Sequence, residues 1–239
     1  MKPKILLAAV ALSLAVSGCT RAQDTGFDKR VHDYIVKHPE VIEEAVQALR
    51  AKQETEAEAE YTKAMARTKA ALPRFRQALE RDPRDFVANP NGKITVTEFF
   101  DYRCPHCKNA AAAVLGIAKA NPDVRVVFKE MPIFGAVSEH AARVAIAAKA
   151  RGDYLGLYTA LMAADGLDDA AIDKLAGEHG VSAEAVDEKA ANQQIKDVHK
   201  LAESLGVTGT PTFIIGDEVV PGEDTDAVNA AIAAARKAS

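Results

Sequence analysis

Two cysteines separated by two residues, Cys104 and Cys107, lie where one sequence pattern gives way to another. Residues 93–100, before them, are rich in β-branched and aromatic side chains and predict a strand. Residues 105–120, which begin with proline, predict a helix directly after the first cysteine. Unpaired N–H groups and the helix dipole favour an anion at such a helix N-terminus. Because the thiolate is the form of cysteine that attacks disulfides, this position predicts redox chemistry with Cys104 as the nucleophile.

Three other uses of a cysteine pair agree less well with the sequence. A tetrahedral zinc site needs four ligands, whereas the chain has only 3 cysteines and its histidines are scattered. Haem attachment requires a histidine directly after the second cysteine, and Lys108 occupies that position. A structural disulfide between such close residues would close too small a loop to stabilise the fold much. We therefore expect a redox-active disulfide between Cys104 and Cys107, with no metal ligand and no separate cofactor.

The first residues are typical of an export leader. Two lysines precede an apolar stretch over residues 5–16, which is too short to span a bilayer comfortably. Val16-Ser17-Gly18-Cys19 then resembles a bacterial lipobox, in which Cys19 becomes the lipidated N-terminus. The alternative is ordinary cleavage after Ala22, which would remove Cys19. With a leader over residues 1–22 in either case, we expect the protein in the bacterial periplasm or cell envelope, anchored to a membrane if Cys19 is lipidated.

The charge balance excludes one class of partner. Lys and Arg number 30 against 34 Asp and Glu, and the formal net charge of −4 offers no basic surface for nucleic acid. Hydrophobic residues make up 48% of the chain, which is enough for a core, and abundant alanine favours helices. No nucleic-acid partner is therefore expected.

A helical extension is predicted over residues 26–82. Its first part carries apolar residues at three- and four-residue spacing, the pattern of an amphipathic helix. These residues are Val31, Tyr34, Ile35, Val41, Ile42, Ala45, Val46 and Leu49. His38-Pro39 predicts a break between a short helix and a long one, and Pro73 is expected to kink or end the long one. Because the stripe cannot form a core alone, residues 28–80 are expected to mediate homo-oligomerisation; the alternative is a solvated spacer above a membrane anchor.

A second domain is predicted over residues 92–237, after turn residues at Asp82-Pro83 and at 89–92. The elements expected beyond the cysteine helix are a strand over 123–129, helices over about 137–206, a hairpin around Gly216-Asp217 and a helix over 224–237. The order strand–helix–strand, helical block, strand–strand–helix predicts an α/β protein. The predicted architecture is a thioredoxin fold with an inserted helical block, preceded by an all-helical N-terminal extension.

Three further positions complete the predicted site. Thr210-Pro211 follows a glycine and precedes a strand, and in thioredoxin-like folds this peptide bond is cis and faces the cysteine pair. The backbone of Thr210 would then receive an incoming peptide. Glu98, on the strand before the cysteines, and Lys129, at the end of the next strand, are either solvated edge residues or a partly buried pair near Cys107. In the second case Glu98 would relay a proton when Cys107 reacts.

Three motifs in the correct order resemble the DsbA family of thiol–disulfide oxidoreductases. They are residues 97–108 (TEFFDYRCPHCK), 128–132 (FKEMP) and 209–213 (GTPTF). The resemblance spans about residues 92–236 and implies a redox domain of the thioredoxin superfamily. It also implies that Cys104 and Cys107 react and that Pro105 and His106 tune their reduction potential. Arg103, in place of the tryptophan beside the first cysteine, separates the chain from thioredoxin proper.

The N-terminal part resembles a second group within this family. Residues 34–45 (YIVKHPEVIEEA) are similar to the N-terminal region of ScsC-type proteins, which are linked to copper tolerance. In that group the region implies homo-oligomerisation, whereas DsbA is monomeric and lacks it. Thr210 occupies the position before the cis-proline, where DsbA has valine. A threonine at this position resembles the disulfide isomerases. The resemblance therefore leaves isomerase and oxidase as competing activities.

The sequence thus predicts an exported thiol–disulfide oxidoreductase that acts on cysteine-containing client proteins and has a membrane redox partner. Cys104 attacks, Cys107 resolves the mixed disulfide, and Thr210 with Pro211 presents the client backbone. Shuffling or reduction is favoured over net oxidation, because an oligomer can hold one client between several active sites. Two alternatives remain open: a copper-binding envelope protein that uses the two thiolates as soft ligands, and an adaptor whose long helix carries the function.

Overall fold

A computed structural model describes residues 25–182 and 185–238 of the 239-residue chain. The predicted leader over residues 1–22, with the lipidation candidate Cys19, lies outside the described residues. The chain divides into two compact units, and the division falls between Ala57 and Glu58.

The first unit is helical, and none of its side chains over residues 26–57 is buried. Helix α1 spans Thr25–Lys37, and helix α2, Glu40–Glu80, begins in this unit. The break at His38-Pro39 agrees with the sequence prediction. Apolar side chains remain exposed along the unit, each over 40–65% of its surface: Val31, Tyr34, Val36, Ile42, Val46 and Leu49.

Helix α2 does not end at Pro73 but continues to Glu80. A proline inside a helix removes one backbone hydrogen bond and costs about 3 kcal/mol. Leu72 and Leu79, on either side of it, are fully buried. Because burial of each leucine contributes about 2 kcal/mol, their packing offsets the cost of the proline.

The second half of α2 belongs to the second unit rather than to a separate extension. Its buried residues are Thr68, Leu72 and Leu79. The Thr68 hydroxyl donates a hydrogen bond to the carbonyl oxygen of Leu205 at 2.6 Å. This packing places the division at residue 57, whereas the sequence predicts an extension that reaches residue 82.

Five strands form one sheet with the order β1-β3-β2-β4-β5. The strands are β1 Phe86–Ala88, β2 Ile94–Phe100, β3 Val124–Glu130, β4 Thr212–Ile215 and β5 Glu218–Pro221. Strands β2 and β3 are parallel, and the other neighbours are antiparallel. The sequence predicts every strand except β1, which lies between two turn motifs.

Six helices of the described residues complete the second unit. They are α3 Pro105–Ala120, α4 Ala136–Arg151, α5 Tyr154–Ala163, α6 Asp169–Glu178, α7 Glu188–Leu205 and α8 Thr225–Ala238. Helices α4 to α7 form the predicted helical block. Gly152 ends α4 with a φ of 85°, a left-handed conformation that glycine adopts without strain. Within the described part of the chain, no helix is both long enough and apolar enough to cross a membrane.

Two hydrophobic clusters cover the two faces of the sheet, and the alternation along β2 separates them. Val96 and Phe100 belong to the cluster that includes α3, α5 and α8. Phe99 belongs to the other, which includes Leu72 from α2 and Leu201 from α7. Successive strand residues point to opposite faces, so the position of an apolar residue along β2 decides which cluster it joins. The α/β architecture with an inserted helical block is as the sequence predicts.

Candidate thiol–disulfide exchange site

The end of β2 and the start of α3 bring the two cysteines to one place. Cys104 is the N-cap of α3, with φ −73° and ψ 119°, and Pro105 is the first helical residue. The amide of Lys108 donates to the carbonyl oxygen of Cys104 at 3.1 Å, which closes the first turn. Both cysteines are free thiols and are buried, Cys104 at 2% and Cys107 at 0% exposure. The structure therefore places Cys104 at the helix N-terminus that the sequence predicts.

The loop before β4 faces Cys104. The Thr210-Pro211 peptide bond is cis, as expected. The thiol of Cys104 donates to the carbonyl oxygen of Thr210 at 3.2 Å. The amide of Gly222 donates to the Pro211 carbonyl at 2.8 Å, and the Thr212 hydroxyl donates to Gly209 at 2.8 Å. These bonds hold the loop against the Cys104 sulfur.

Asp101 organises the approach to Cys104, and the sequence analysis did not single it out. One of its carboxylate oxygens accepts from the Arg103 amide at 2.7 Å and from the Ser138 hydroxyl at 2.9 Å. The other accepts from the amides of Ile133 at 2.6 Å and Phe134 at 3.1 Å. The buried carboxylate thus ties the cysteine loop to the loop after β3. Its signal in the sequence is an acidic residue between a predicted buried strand and the cysteine pair.

Cys107 lies deeper than Cys104 and is the harder thiol to ionise. Burial is the main cause that raises the pKa of the Cys107 thiol well above its usual value. The negative charges of Glu98 and Cys104 raise this pKa further. Such a thiol is inert until a base takes its proton, which agrees with the resolving role expected for it.

Glu98 is fully buried on the same face of the sheet as Val96 and Phe100. Neither of its carboxylate oxygens has a hydrogen-bond partner among the described residues. Burial alone raises the pKa of Glu98 to about 8. Of the two readings drawn from the sequence, a solvated edge residue is therefore excluded, and a buried carboxyl near Cys107 is retained.

Lys129 does not pair with Glu98, and that part of the expectation is corrected. In the parallel ladder Lys129 is the register partner of Phe99, so it shares the face of Phe99 and not that of Glu98. Its ammonium group donates to the carbonyl oxygen of Ala78 at 2.6 Å and forms a buried ion pair with Asp85. Lys129 therefore stabilises the contact between α2 and the sheet, and it lies on the far side of the sheet from Cys107.

A second buried carboxyl, Glu130, lies on the face of Glu98. It accepts hydrogen bonds from the hydroxyl of Tyr102 at 3.0 Å and from that of Tyr154 at 2.6 Å. Burial raises the pKa of Glu130 to about 8, although both tyrosine hydrogen bonds lower it. The sequence motif at residues 128–132 contains this residue, but the register between β2 and β3 is needed to show that Glu130, rather than Lys129, shares the face of Glu98.

Pro105 and His106 lie on the exposed rim of the site. The Nδ1 atom of His106 is 3.4 Å from the carboxylate of Glu223. The hydrogen bonds of the described residues do not join the imidazole to either cysteine. His106 is therefore positioned to meet an incoming molecule and Glu223 rather than to contact the Cys104 thiol directly.

Two family models match this chain. Residues 95–233 match the DSBA-like thioredoxin domain, which is more than half of the 239 residues. Residues 23–56 match the family described as the copper resistance protein ScsC N-terminal domain.

Individual relatives agree with these matches. The thiol:disulfide interchange protein DsbA of Bordetella pertussis is 32% identical over 135 residues, which are 52% of this chain and 64% of that protein. A linker-deletion variant of Proteus mirabilis ScsC has a TM-score of 0.69 at 25% identity, and the match covers 94% of this chain and 100% of that one. A periplasmic thioredoxin-like protein from Salmonella enterica serovar Typhimurium has a TM-score of 0.62 at 32% identity, with 66% and 93% covered.

The chain spans less than two thirds of the curated relatives it matches. The share is 64% for the Bordetella protein and 22% for the Na(+)/H(+) antiporter NhaA 3 of Salinispora tropica, which is 30% identical over 144 residues. The first family match nevertheless contains the cysteine pair, Glu98 and the Thr210-Pro211 loop. On this match, the chain belongs to the DSBA-like thioredoxin domain family.

Proposed function

We propose that this protein exchanges thiols and disulfides with cysteine-containing client proteins. The observation that carries the proposal is the 3.2 Å contact between the Cys104 sulfur and the carbonyl oxygen of Thr210, beside the cis bond to Pro211. It combines a thiol at a helix N-terminus, where an anion is favoured, with the backbone of a half-buried loop residue beside it, which can pair with an extended polypeptide.

The reaction begins when the Cys104 thiolate attacks one sulfur of a client disulfide. A mixed disulfide forms, and the other client sulfur leaves as a thiolate. If a client thiolate then attacks the mixed disulfide, Cys104 is regenerated and the client carries a rearranged disulfide. If Cys107 attacks instead, the Cys104–Cys107 disulfide forms and the client leaves with two thiols. The first route is isomerisation, the second is reduction, and the reverse of the second is oxidation.

Glu98 is the base that we assign to the resolving step. Cys107 must lose its proton before it attacks, and burial opposes that loss. Neither oxygen of Glu98 accepts a hydrogen bond from another described residue, so the ionised form, which its pKa of about 8 makes abundant only near that pH and above, is free to accept the proton. Replacement of Glu98 by glutamine is expected to slow the Cys107 step about tenfold or more, with the attack by Cys104 less affected.

For the direction of exchange we propose isomerisation or reduction rather than net oxidation. The support is the exposed apolar face of the first unit, whose side chains are 40–65% exposed and include Val31, Ile42 and Leu49. An exposed stripe of this kind is suited to another copy of the same chain. An oligomer would place several Cys104 thiols around one client and so favour repeated rearrangement of its disulfides.

The proposed location is the bacterial periplasm or cell envelope, with a membrane protein as the redox partner. The support is the export pattern over residues 1–22 and the similarity to a periplasmic thioredoxin-like protein. Lipid anchoring through Cys19 is part of the same proposal. Globomycin, which blocks lipoprotein leader cleavage, would retain the leader if Cys19 is lipidated and would have no effect otherwise.

The exchange proposal is tested on scrambled and on reduced ribonuclease with the full chain. Recovery of ribonuclease activity from the scrambled form, lost in Cys104→Ser, is the expected result. Thiol alkylation followed by mass measurement reports the redox state, since the chain has no tryptophan. Activity on reduced ribonuclease alone would reverse the proposed direction, and inactivity on both would reject exchange altogether.

The oligomer is tested separately with a double variant, Ile42→Asp with Leu49→Asp. Charges on the exposed stripe are expected to convert the native oligomer to a monomer in light scattering and to reduce unscrambling. Glu43→Asp, an exposed change next to Ile42 that keeps its charge, is the matched control. A wild-type chain that is already monomeric would reject this part of the proposal.

Copper(I) binding is a second candidate, supported by the match of residues 23–56 to a domain named for copper resistance. Cys104 and Cys107 would supply two soft thiolate ligands. The described residues contain no group of three or more His, Cys, Asp and Glu side chains that could hold a metal ion. Tight stoichiometric binding by the reduced protein, without exchange on ribonuclease, would favour this role.

A further inference from the structure

A groove of about 310 Å³ opens beside the Thr210-Pro211 loop, and the second half of α2 forms one of its walls. Tyr61, Ala64, Met65 and Thr68 line that wall. The opposite side is the loop over residues 206–212, and Val219 and Pro221 of β5 close the groove. All of these residues belong to the second unit. We call this feature the α2 groove.

At the C-terminal end of the wall and just beyond it, α2 is attached to the rest of the second unit on both sides of Leu72. The Thr68 hydroxyl donates to the Leu205 carbonyl at 2.6 Å, at the point where α7 ends. Arg76 donates to the Gly216 carbonyl at 2.7 Å, in the turn between β4 and β5. Leu72, between these anchors, is fully buried. Because these contacts hold α2 in place before a ligand arrives, little binding free energy would be spent on ordering the wall.

The lining of the α2 groove is uncharged. None of its described lining residues carries a charge, and the helix contributes an aromatic ring and a thioether. Tyr61 leaves 52% of its surface exposed although it borders an apolar cleft. Tyrosine and methionine suit surfaces that accept varied ligands, because tyrosine offers a large contact at low entropy cost and methionine adapts its shape. The chemistry favours an apolar side chain as the ligand.

The α2 groove adjoins the Cys104 sulfur through one shared residue, Thr210. Thr210 lines the groove, and its carbonyl oxygen accepts from the Cys104 thiol at 3.2 Å. An extended polypeptide advances about 3.3 Å per residue. A client whose cysteine meets Cys104 therefore presents a nearby residue to the groove, within a few positions of that cysteine.

Because the groove and the Cys104 sulfur meet at Thr210, we propose that the α2 groove binds the client polypeptide beside its reacting cysteine and selects an apolar side chain there. The inference rests on the proposed exchange function and deepens it by naming the substrate class. It also assigns the second half of α2 a role in client recognition, separate from any role of the first unit in oligomerisation.

The test compares Met65→Glu with Ala66→Glu in the full chain. Both add one charge to neighbouring positions of α2, but Ala66 is exposed and does not line the groove. The substrates are two peptide disulfides that differ only in a leucine or an aspartate two residues from the cysteine, with glutathione disulfide as a substrate too small to fill the groove. For the leucine peptide, Met65→Glu is expected to raise KM about fivefold to tenfold with kcat unchanged, equivalent to roughly 1–1.4 kcal/mol.

The same change is expected to leave glutathione disulfide kinetics unaltered, and Ala66→Glu is expected to match the wild type on every substrate. Equal KM values for the two variants, with the wild type active, would overturn the groove inference alone. A wild type that turns over no disulfide would instead overturn the exchange proposal. An altered oligomer mass in Met65→Glu with an unchanged peptide KM would assign the groove to a second copy of the chain. If Met65→Glu fails to fold, the milder Tyr61→Ala replaces it and is expected to raise KM for the leucine peptide about threefold.

Discussion

Glu98 and Lys129 lie on adjacent strands but point to opposite faces of the sheet. The register pairs Lys129 with Phe99, which faces the cluster containing α2, while Glu98 faces the side of Cys107. Lys129 is therefore neutralised by Asp85, and Glu98 has no hydrogen-bond partner among the described residues. The two buried charges act independently, so their replacements are expected to have different effects.

Glu98→Gln is expected to stabilise the reduced protein at high pH. Burial raises the pKa of Glu98 from its ordinary value of 4.5 to about 8, so the folded state holds the proton more tightly than the unfolded state. Stability therefore falls as pH rises from about 4.5 to 8, and above that range the whole penalty applies. Removal of the ionisable group should recover about 5 kcal/mol at pH 9 and little at pH 4. Urea unfolding of the reduced protein at the two pH values measures the difference.

The exposed Glu203→Gln is the matched control and should leave the pH dependence of unfolding unchanged. Glu130 titrates in both proteins, and the charge of Glu98 is the smallest of the causes named for its raised pKa, so most of its contribution cancels in the comparison. If Glu98→Gln raised the free energy of unfolding equally at pH 4 and pH 9, the assignment of an ionisation penalty to this carboxyl would be contradicted.

Lys129→Met is expected to destabilise the fold without changing the chemistry of the cysteines. Loss of the ammonium group leaves the Asp85 carboxylate buried and unpaired, which costs about 3–5 kcal/mol. Because Lys129 is on the far face of the sheet, the rate of the Cys107 step and its pH profile should match those of the wild type. Urea unfolding measures the first effect, and rapid-quench alkylation of the mixed disulfide measures the second.

Combining Lys129→Met with Asp85→Asn removes both charges and should recover part of the lost stability. A shift in the pH profile of the Cys107 step in Lys129→Met would mean that the lysine acts on Glu98 after all, and the assignment to separate faces would fail.

The local sequence was sufficient to predict the central part of the site, which is the cysteine pair and the loop that faces it. The strand pattern, the proline after Cys104 and the Gly-Thr-Pro sequence each specify backbone geometry within a few residues, so the cysteine pair and the Thr210-Pro211 loop were predictable. The bounds of α3, 105–120, agree with the prediction for the same reason.

Features that depend on tertiary contacts were not predictable from local pattern. Strand β1 has three residues and exists because it pairs with β3. The side chain face of Lys129 depends on the register between β2 and β3, which no local signal supplies. Helix α2 continues through Pro73 because Leu72 and Leu79 are buried by other elements. The role of Asp101 required knowledge of which distant amides it meets.

Alkylation is expected to separate the two thiols. Burial and the neighbouring negative charges raise the pKa of Cys107 well above its usual value, so its thiolate should be almost absent below pH 9. In a Cys104→Ala variant, iodoacetamide should modify Cys107 at least about a hundredfold more slowly than it modifies Cys104 in Cys107→Ala. Mass measurement over time at pH 7 gives both rates. Similar rates in the two variants would contradict the assignment of Cys107 as the protected, resolving thiol.

Asp101→Asn is expected to weaken both the fold and the exchange reaction. The carboxylate accepts four hydrogen bonds, from the amides of Arg103, Ile133 and Phe134 and from the Ser138 hydroxyl. An asparagine of the same shape keeps one acceptor oxygen but places an NH₂ group against the donors on the other side. This mismatch should lower the free energy of unfolding by about 2–4 kcal/mol. Because the same carboxylate holds the loop that carries Cys104, the rate of attack on glutathione disulfide should fall severalfold. Ser138→Ala is the control, because it removes a single donor and leaves the three amide hydrogen bonds. It should lower the free energy of unfolding by about 1 kcal/mol and leave the rate of attack unchanged. Equal losses of stability and rate in the two variants would mean that Asp101 stabilises the loop after β3 without positioning the nucleophile.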